Sequence, residues 1–268
     1  MDATTTPAAD ADRLVRRVVA VGILKGVLLA VVLVVVGLVA DVDVLVPVGL
    51  VVGLVVAVGW ALYVRSKVSG AVGAVLSGLG ASRLPDDASP RLTNVVEGLC
   101  VASGVSEPEI WTVPVRAANA MALDAGGRTA LVVTDGLVEH LGLVELEGAV
   151  ANLLGRVKDG SARLSTTAVA VRRLPMSSVY APDRLVAEGL GEQYAVRSDL
   201  EAVRITRFPP GLRAALEQAS SAGTAVTAGG ADLAHLWLAP VGSGDEAPAS
   251  VRTAAQPLDL RIAVLDEL

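Results

Sequence analysis

Two long apolar runs near the start of the 268-residue chain constrain its fold more than any other feature. Residues 18–40 carry a single charge, and residues 44–64 carry none. Because a helix rises about 1.5 Å per residue, each run is long enough to cross a hydrocarbon core of about 30 Å. Only a short connector that includes Asp41 and Asp43 separates the runs. The pattern therefore predicts a transmembrane hairpin of two antiparallel helices over residues 18–64.

Basic residues flank the two runs on the same side of the membrane. Arg13, Arg16 and Arg17 precede the first run, Arg65 and Lys67 follow the second, and the connector has none. Since cytoplasmic flanks are enriched in Lys and Arg, this distribution predicts a multi-pass plasma-membrane protein with both termini and the soluble domain in the cytoplasm. A cleaved signal peptide is the alternative for the first run, but that run is longer than a signal core and the second run follows at once.

The rest of the chain has the composition of a modest acidic domain. Of all residues 53% are hydrophobic and 19% are charged, and the formal net charge is −6. The excess of acidic residues falls after the hairpin, so a basic surface for nucleic acid is not expected, whereas contact with the lipid bilayer is. We predict four regions: a disordered N-terminal tail (1–17), the hairpin (18–64), a juxtamembrane linker with a short helix (65–90) and a cytoplasmic domain (91–268).

Apolar periodicity in the last region predicts an α+β layout, in which a small sheet accompanies mostly helices. Residues 109–115 and 129–134 have strand-forming composition, and the glycines within residues 124–127 suit a hairpin turn between them. The apolar run 164–171 is too short to span a bilayer, and whether it touches the membrane surface stays open. Helices are predicted at residues 92–101, 143–159, 182–190, 193–206, 209–221 and 257–268.

Several segments, in order, resemble the HtpX-type membrane zinc metallopeptidases, the family that includes the CAAX prenyl proteases. The segment "LVELEGAVANLLGRVKDGS" is similar to the family helix E-L-E-x-V-x-A-H-E-x-x-H-x-x-x-x-D. The segment "AANAMALDAGGRTALVVTDGLVEHL" is similar to the family's P-N-A-F-A stretch and the hairpin after it, with Ala118 and Met121 as departures. Downstream, "SDLEAVRITRFPPGLRAALEQ", "AHLWLAP" and "QPLDLRIAVLDEL" keep the resemblance in the same order.

This resemblance implies a zincin-like fold with a zinc site built on one helix. In the family, two histidines one helical turn apart bind the metal, the glutamate between them activates water, and a glutamate from a later helix completes the ligands. At the matching positions this chain has Asn152, Leu153, Arg156 and Ala195. A neutral amide, two apolar side chains and a permanent cation thus replace three ligands and the general base. No catalytic residue, no metal ligand and no zinc or other cofactor is expected at these positions.

Other potential metal ligands remain elsewhere in the sequence. His140 and His235 are the only two histidines, and Cys100 is the only cysteine. In one interpretation, these residues supply replacement ligands for a metal ion. The other makes His140 a surface or helix-end residue, His235 a structural residue with satisfied hydrogen bonds and Cys100 a core thiol, which is typical of isolated residues of these types.

Arg156 and Asp199 suggest a further hypothesis. In the fold that the resemblance implies, the helices that carry them face each other across the vacated site. An Arg156–Asp199 pair could then replace the metal as a cross-link between the two helices. The alternative is that Arg156 points to solvent in an open cleft.

Three functions follow from these predictions. The first is a catalytically inactive homologue that binds or regulates membrane or unfolded proteins. An extended peptide would pair with the edge strand through backbone hydrogen bonds, as the resemblance implies. The second is an active zinc metallopeptidase with a rebuilt site, and the third is a structural subunit of a membrane complex. The segment expected to offer the edge consists of Ala118, Asn119, Ala120, Met121, Ala122 and Leu123.

Overall fold

The computed structural model describes residues 6–85, 87–224, 226, 231–240 and 256–268. This part of the chain is mostly helical, with one small mixed sheet and two long apolar helices at its start, as predicted. The helices are α1 (Pro7–Val39), α2 (Leu45–Ser69), α3 (Ala71–Leu79), α4 (Pro90–Ser103), α5 (Asp135–His140), α6 (Leu143–Lys158), α7 (Ser161–Arg172), α8 (Pro182–Leu190), α9 (Tyr194–Thr206), α10 (Pro209–Ala222) and α11 (Leu258–Asp266). The strands are β1 (Ser82–Arg83), β2 (Glu109–Val113), β3 (Ala120–Ala125) and β4 (Arg128–Thr134), and short 3-10 turns occupy Ser177–Tyr180 and Ala231–Leu233.

Helices α1 and α2 form the predicted hairpin and pack closely through small residues. A Cβ placed on Gly53 would lie 2.5 Å from the Ala30 Cβ and 2.7 Å from the Gly26 carbonyl oxygen, so only glycine fits there. Close backbone approach of this kind is how helices associate in lipid, where the hydrophobic effect between them is absent. Both helices are long and apolar enough to cross a membrane, and most of their apolar side chains are exposed on the outside of the pair.

The first helix begins far earlier than the sequence predicts. A disordered tail was expected over residues 1–17, but α1 starts at Pro7, and Thr6 caps it by accepting a hydrogen bond from the Ala9 amide at 3.4 Å. Proline suits the first helical position because its missing N–H has no partner there anyway. Leu14 is fully buried and packs in a cluster with residues of α7 and α8, which supplies the free energy that orders this segment.

The region expected to be a linker, residues 65–90, is largely part of the folded domain. Helix α2 continues to Ser69, and the predicted short helix is present as α3. Three apolar residues of α3, Val72, Val75 and Leu76, are at most 2% exposed and lie in one core cluster with strands β3 and β4. The membrane anchor therefore joins the soluble domain through a packed helix.

The sheet has the strand order β1–β2–β4–β3, with β2 and β4 parallel and the other two pairs antiparallel. The prediction that residues 109–115 and 129–134 form one hairpin is wrong. The hairpin partner of β4 is β3, and their turn holds Gly126 and Gly127 with left-handed φ angles of 63° and 80°. The sequence A-M-A-L-D-A of β3 lacks β-branched and aromatic residues, so its strand propensity is weak and pairing determines its conformation.

The predicted helices downstream are confirmed as α6, α8, α9, α10 and α11, with ends that differ by at most a few residues. Helix α6 crosses the centre of the domain and packs against α4, α9, α10 and strand β3. Residues 164–171 lie within α7 and are buried inside the protein, partly against α1 and α2. The zincin-like character of this arrangement stays a prediction.

The packed start of α1 has a measurable consequence. Leu14→Ala removes a fully buried side chain from the cluster with α7 and α8. We expect it to lower the free energy of unfolding of the soluble domain by about 2–5 kcal/mol, the usual cost of such a truncation. Denaturant unfolding in detergent, followed by near-UV circular dichroism, measures this. Val101→Ala, at a side chain that is 87% exposed, is the control. Equal stability of the two variants would contradict the packed start of α1 and would favour a disordered N-terminal tail.

Candidate functional site

Helix α6 brings the substituted positions together inside the domain. Asn152 and Arg156 are one helical turn apart and therefore share a face, and they are 0% and 2% exposed. Leu153 lies between them in sequence and is part of the main hydrophobic cluster. Ala195, in the first turn of α9, is also buried. The alternative in which Arg156 points to solvent is therefore wrong.

Asp199 of α9 is at the centre of a buried polar network. Its Oδ1 accepts hydrogen bonds from Asn152 Nδ2 at 2.8 Å and from Arg261 Nη2 at 2.7 Å, and its Oδ2 accepts one from Arg261 Nε at 2.7 Å. Asp199 and Arg261 are each 1% exposed. The bidentate geometry fixes the carboxylate in both position and orientation. Helices α6, α9 and α11 are thereby joined through one carboxylate.

Arg156 does not form the ion pair with Asp199 that the sequence suggested. Its Nη1 donates to the carbonyl oxygens of Leu236 at 3.0 Å and Trp237 at 3.2 Å, and its guanidinium carbon lies 5.2 Å from the Tyr194 ring centroid. Among the described residues no ion pair joins Arg156 to any carboxylate. The physical reason is competition, because Arg261 and Asn152 already occupy the Asp199 oxygens. Backbone dipoles and an aromatic face therefore stabilise the Arg156 charge.

The carbonyls that Arg156 holds belong to residues 236–239, named here the closing segment. This segment runs antiparallel to the outer edge of β3, with a bridge between Trp237 and Met121 and a hydrogen bond from the Leu238 amide to the Ala120 carbonyl at 2.7 Å. Arg261 Nη1 donates to the Leu238 carbonyl at 2.6 Å. The two buried arginines thus bind three successive backbone carbonyls of the segment.

Asn119 fixes the end of the closing segment. Its Oδ1 accepts from the Ala239 amide, and its Nδ2 donates to the Ala239 carbonyl, both at 3.0 Å. The same side chain donates to the Thr224 carbonyl at 3.1 Å and accepts from the Ala120 amide at 3.0 Å. One amide side chain thereby satisfies four backbone groups that would otherwise be buried without partners.

The edge that the sequence analysis assigned to a peptide is therefore not free. The closing segment already pairs with Ala120 and Met121, and residues 118–123 are at most 1% exposed. An extended peptide could pair with this part of β3 only after the closing segment has left. Local sequence patterns do not predict this contact, because it joins segments more than one hundred residues apart.

His235 lies near Arg156 and directly precedes the closing segment, whereas His140 and Cys100 lie on α5 and α4. His235 is 2% exposed, and burial, together with the charges of Arg172 and Arg156, lowers its pKa to about 3, so its ring is neutral at physiological pH. His140 lies at the end of α5 with Nδ1 2.6 Å from the Gly136 carbonyl. Burial, and to a lesser degree the charge of Glu107, raises the pKa of the Cys100 thiol on α4. A raised thiol pKa disfavours the thiolate that metals and electrophiles require.

The donor set does not fit a zinc ion. Within the described ranges no three His, Cys, Asp or Glu side chains lie close enough together to hold a metal ion. Asp199 is the only carboxylate of the network, and both its oxygens are committed to Arg261 and Asn152. A cation placed there would also face two guanidinium groups in a medium of low dielectric constant. No reaction step through a metal is derived from these residues.

Mutual dependence of Asp199 and Arg261 is testable with a double-mutant cycle. Asp199→Leu or Arg261→Met alone leaves one charge buried without its partner, and we expect each to lower the free energy of unfolding by about 3–5 kcal/mol. The double variant removes both charges, so its loss should be clearly smaller than the sum of the single losses.

The exposed ion pair between Arg184 and Glu188 provides the control for that cycle. Its side chains are 79% and 56% exposed, and Arg184→Ala should leave the stability nearly unchanged because water screens the pair. Strictly additive losses at positions 199 and 261 would contradict the cross-link.

Comparison with known proteins agrees with the resemblance noted in the sequence. No protein-family model matches the chain. It is 30% identical to a Protease HtpX homolog of Dictyoglomus thermophilum over 164 residues, which cover 49% of this chain and 54% of that protein. Proteins of the same name are 38% identical over 111 residues in Tropheryma whipplei and 35% identical over 98 residues in Aquifex aeolicus, with 37% and 32% of those proteins covered. The chain spans about half the length, or less, of these curated relatives, and the similarity supports its assignment to the HtpX-type family.

Proposed function

We propose that this chain is a membrane-anchored, HtpX-type protein that does not hydrolyse peptide bonds and acts by binding. One observation carries the proposal. At one of the positions where the resemblance requires a zinc ligand, the structure has the buried Asn152, which donates to Asp199, and the oxygens of the same carboxylate accept hydrogen bonds from Arg261. Such a network stabilises the contact between helices without a metal.

Each replacement removes one part of the chemistry that hydrolysis needs. Leu153 has no group that can take a proton from water, so the general base is missing. Arg156 keeps its positive charge at all physiological pH values, which disfavours a cation beside it. The Ala195 methyl group cannot bind a metal, and the Asn152 amide is a poor zinc ligand that donates to Asp199. Four separate losses would have to be compensated at once for activity to persist.

An active enzyme with a rebuilt site is the competing function. It would require a new set of ligands among the remaining histidines, cysteine and carboxylates. His235 is buried next to Arg172 and Arg156, and the two cations disfavour metal binding at its ring nitrogens. His140 and Cys100 lie on α5 and α4, away from Asp199 on α9. The arrangement favours the non-hydrolytic function.

We further propose that the soluble domain and both ends of the hairpin lie in the cytoplasm. The arginines at positions 13, 16, 17 and 65 lie at the same end of the α1–α2 pair, and Asp41 and Asp43 lie at the other. The positive-inside rule supports this orientation. Trp60 and Tyr63, whose ring centroids are 5.8 Å apart, lie near the same boundary, as interfacial aromatic residues do.

The proposed binding partner is a membrane protein or an unfolded peptide segment. Since the closing segment covers β3 at Ala120 and Met121, capture of an extended peptide at this edge requires that segment to move. A structural role in a membrane complex, through the exposed faces of α1 and α2, does not require such movement. The two modes therefore respond differently to a change that loosens the closing segment.

Metal content tests the loss of catalysis. We expect the purified full-length protein, from cells supplied with zinc, to contain far less than one zinc ion per chain. We also expect no chelator-sensitive cleavage of unfolded casein, because ligands and base are absent.

The matched control variant carries Asn152→His, Leu153→Glu, Arg156→His and Ala195→Glu together. It should bind zinc if the introduced side chains can reach one common metal position. Stoichiometric zinc in the unaltered protein, with cleavage abolished by chelator, would overturn the proposal.

Photo-crosslinking in native membranes separates the two binding modes. Asn119→Ala removes the hydrogen bonds that hold Ala239, so the closing segment should loosen and more extended peptide should be crosslinked at β3. Ser221→Ala, which removes an exposed hydrogen bond to the Gln218 carbonyl, is the control and should change nothing. Identical crosslinked partners for the unaltered protein and both variants would show that partners do not bind at the β3 edge, and would favour the structural role.

A further inference from the structure

The connection between α7 and α8 lies beside the membrane helix α1 and follows it toward the membrane. At the end of α8, a Cβ placed on Gly189 would lie 3.2 Å from the Asp10 Oδ2, which locates this end at the start of α1. The first residues of α8 and the 3-10 turn before it line a cleft with Ala20 and Val21 of α1. Met176 reaches further still, with its Sδ 3.4 Å from Lys25 Nζ.

These contacts indicate how far the connection between α7 and α8 extends along α1 into the membrane. The apolar part of α1 starts at Val18, directly after Arg17. A helix rises about 1.5 Å per residue, so Lys25 lies roughly 10 Å along the helix axis from Val18. Trp60 marks the interface in between, because its Nε1 donates to the Val18 carbonyl at 2.9 Å. Because the Lys25 side chain extends back toward Val18, its contact places Met176 at about the depth of the interfacial aromatic residue.

The residues at this depth are apolar and exposed in the isolated chain. Met176 is 60% exposed and Val179 is 57% exposed, although most large apolar side chains of the soluble domain are buried. Residues 174–182 have no charged side chain, and exposed arginines at positions 173 and 184 flank them. Apolar residues between flanking cations are typical of segments that lie at a membrane interface.

The backbone of this connection is held in a projecting conformation. Met176 and Ala181 bracket the 3-10 turn with left-handed φ angles of 59° and 44°. L-residues other than glycine rarely adopt this region, so surrounding contacts must maintain it. Tyr180, inside the turn, is buried in one cluster with Leu14 and Val18 of α1. The anchor and the turn together thus present Met176 and Val179 outward.

We propose that residues 174–181 form a shallow membrane-inserted loop in which Met176 and Val179 contact lipid acyl chains next to α1. The occupant is the bilayer itself, because the exposed side chains continue the lipid-facing surface of α1 beside the Lys25 side chain. The soluble domain is then attached to the membrane at a third point, beside the two spans, which restricts its rotation relative to the bilayer. This inference depends on α1 crossing the membrane and is independent of the proposed loss of catalysis.

Depth-dependent fluorescence quenching tests the loop directly. The full chain, with Cys100→Ser to remove its only cysteine, receives Met176→Cys, is labelled with an environment-sensitive dye and is reconstituted in phosphatidylcholine vesicles. A nitroxide near the headgroup end of the lipid acyl chains should quench this label about as strongly as one at Leu24→Cys, an exposed position of α1 next to Lys25. A label at Val101→Cys, exposed on α4, should lose no fluorescence to the lipid nitroxide and should be quenched by aqueous iodide.

A second labelled position keeps the test valid if the first variant is poorly folded. Val179→Cys is also exposed and should behave like Met176→Cys. Labels at both positions that are quenched by iodide and not by lipid nitroxide would overturn the proposal. Labels that neither quencher reaches would overturn it as well, because they would indicate a protein partner over the loop.

Discussion

The bidentate contact between Arg261 and Asp199 is the interaction on which the centre of the soluble domain depends. Both side chains are 1% exposed, and burial of either charge alone would cost several kcal/mol. The pair joins α11 to α9, Asn152 extends it to α6, and the second amino group of Arg261 holds the Leu238 carbonyl. A metal ion in a zincin-type site joins helices through its ligands, and here hydrogen bonds to one carboxylate join them.

The closing segment follows from the same network. Its carbonyls at Leu236, Trp237 and Leu238 accept hydrogen bonds from two buried arginines, and its last residue is held by Asn119. A catalytic zinc site with an open position for water would need free space beside α6. The arrangement found here fills the space with the protein's own backbone and side chains. The closing segment therefore stabilises the fold and at the same time covers the edge of β3, so the edge can be freed only at a cost in stability.

Local sequence patterns predicted a large part of the fold. Helices α8 and α10 begin at Pro182 and Pro209, where proline fits the first turn, and α6 has a clear apolar face. The local pattern did not predict strand β3, because its residues carry little strand propensity and its conformation depends on β4 and on the closing segment; only the resemblance indicated an edge over residues 118–123.

The residues of the site were likewise predicted only in part from the sequence. Positions 152, 153, 156 and 195, which the resemblance aligns with three ligands and the general base, were identified by register with the family's motifs. The contact between Asp199 and Arg261 was not predicted, because the two residues are 62 positions apart, although Arg261 lies in a segment that keeps the resemblance. Asn119 was singled out as part of an edge, yet its role is to bind the segment that covers that edge. In both cases the role of the residue depends on a contact with a segment that is distant in sequence.

The central claim is that the protein's own chain, and not a metal, closes this site. Site-resolved hydrogen exchange of the Leu238 and Ala239 amides, in the full chain reconstituted in bilayers, measures this most directly. The account predicts slow exchange at both amides, because they donate to the Ala120 carbonyl and to Asn119 Oδ1, and it predicts no change when zinc or chelator is added. Fast exchange at both amides, or protection that appears only with zinc, would contradict it.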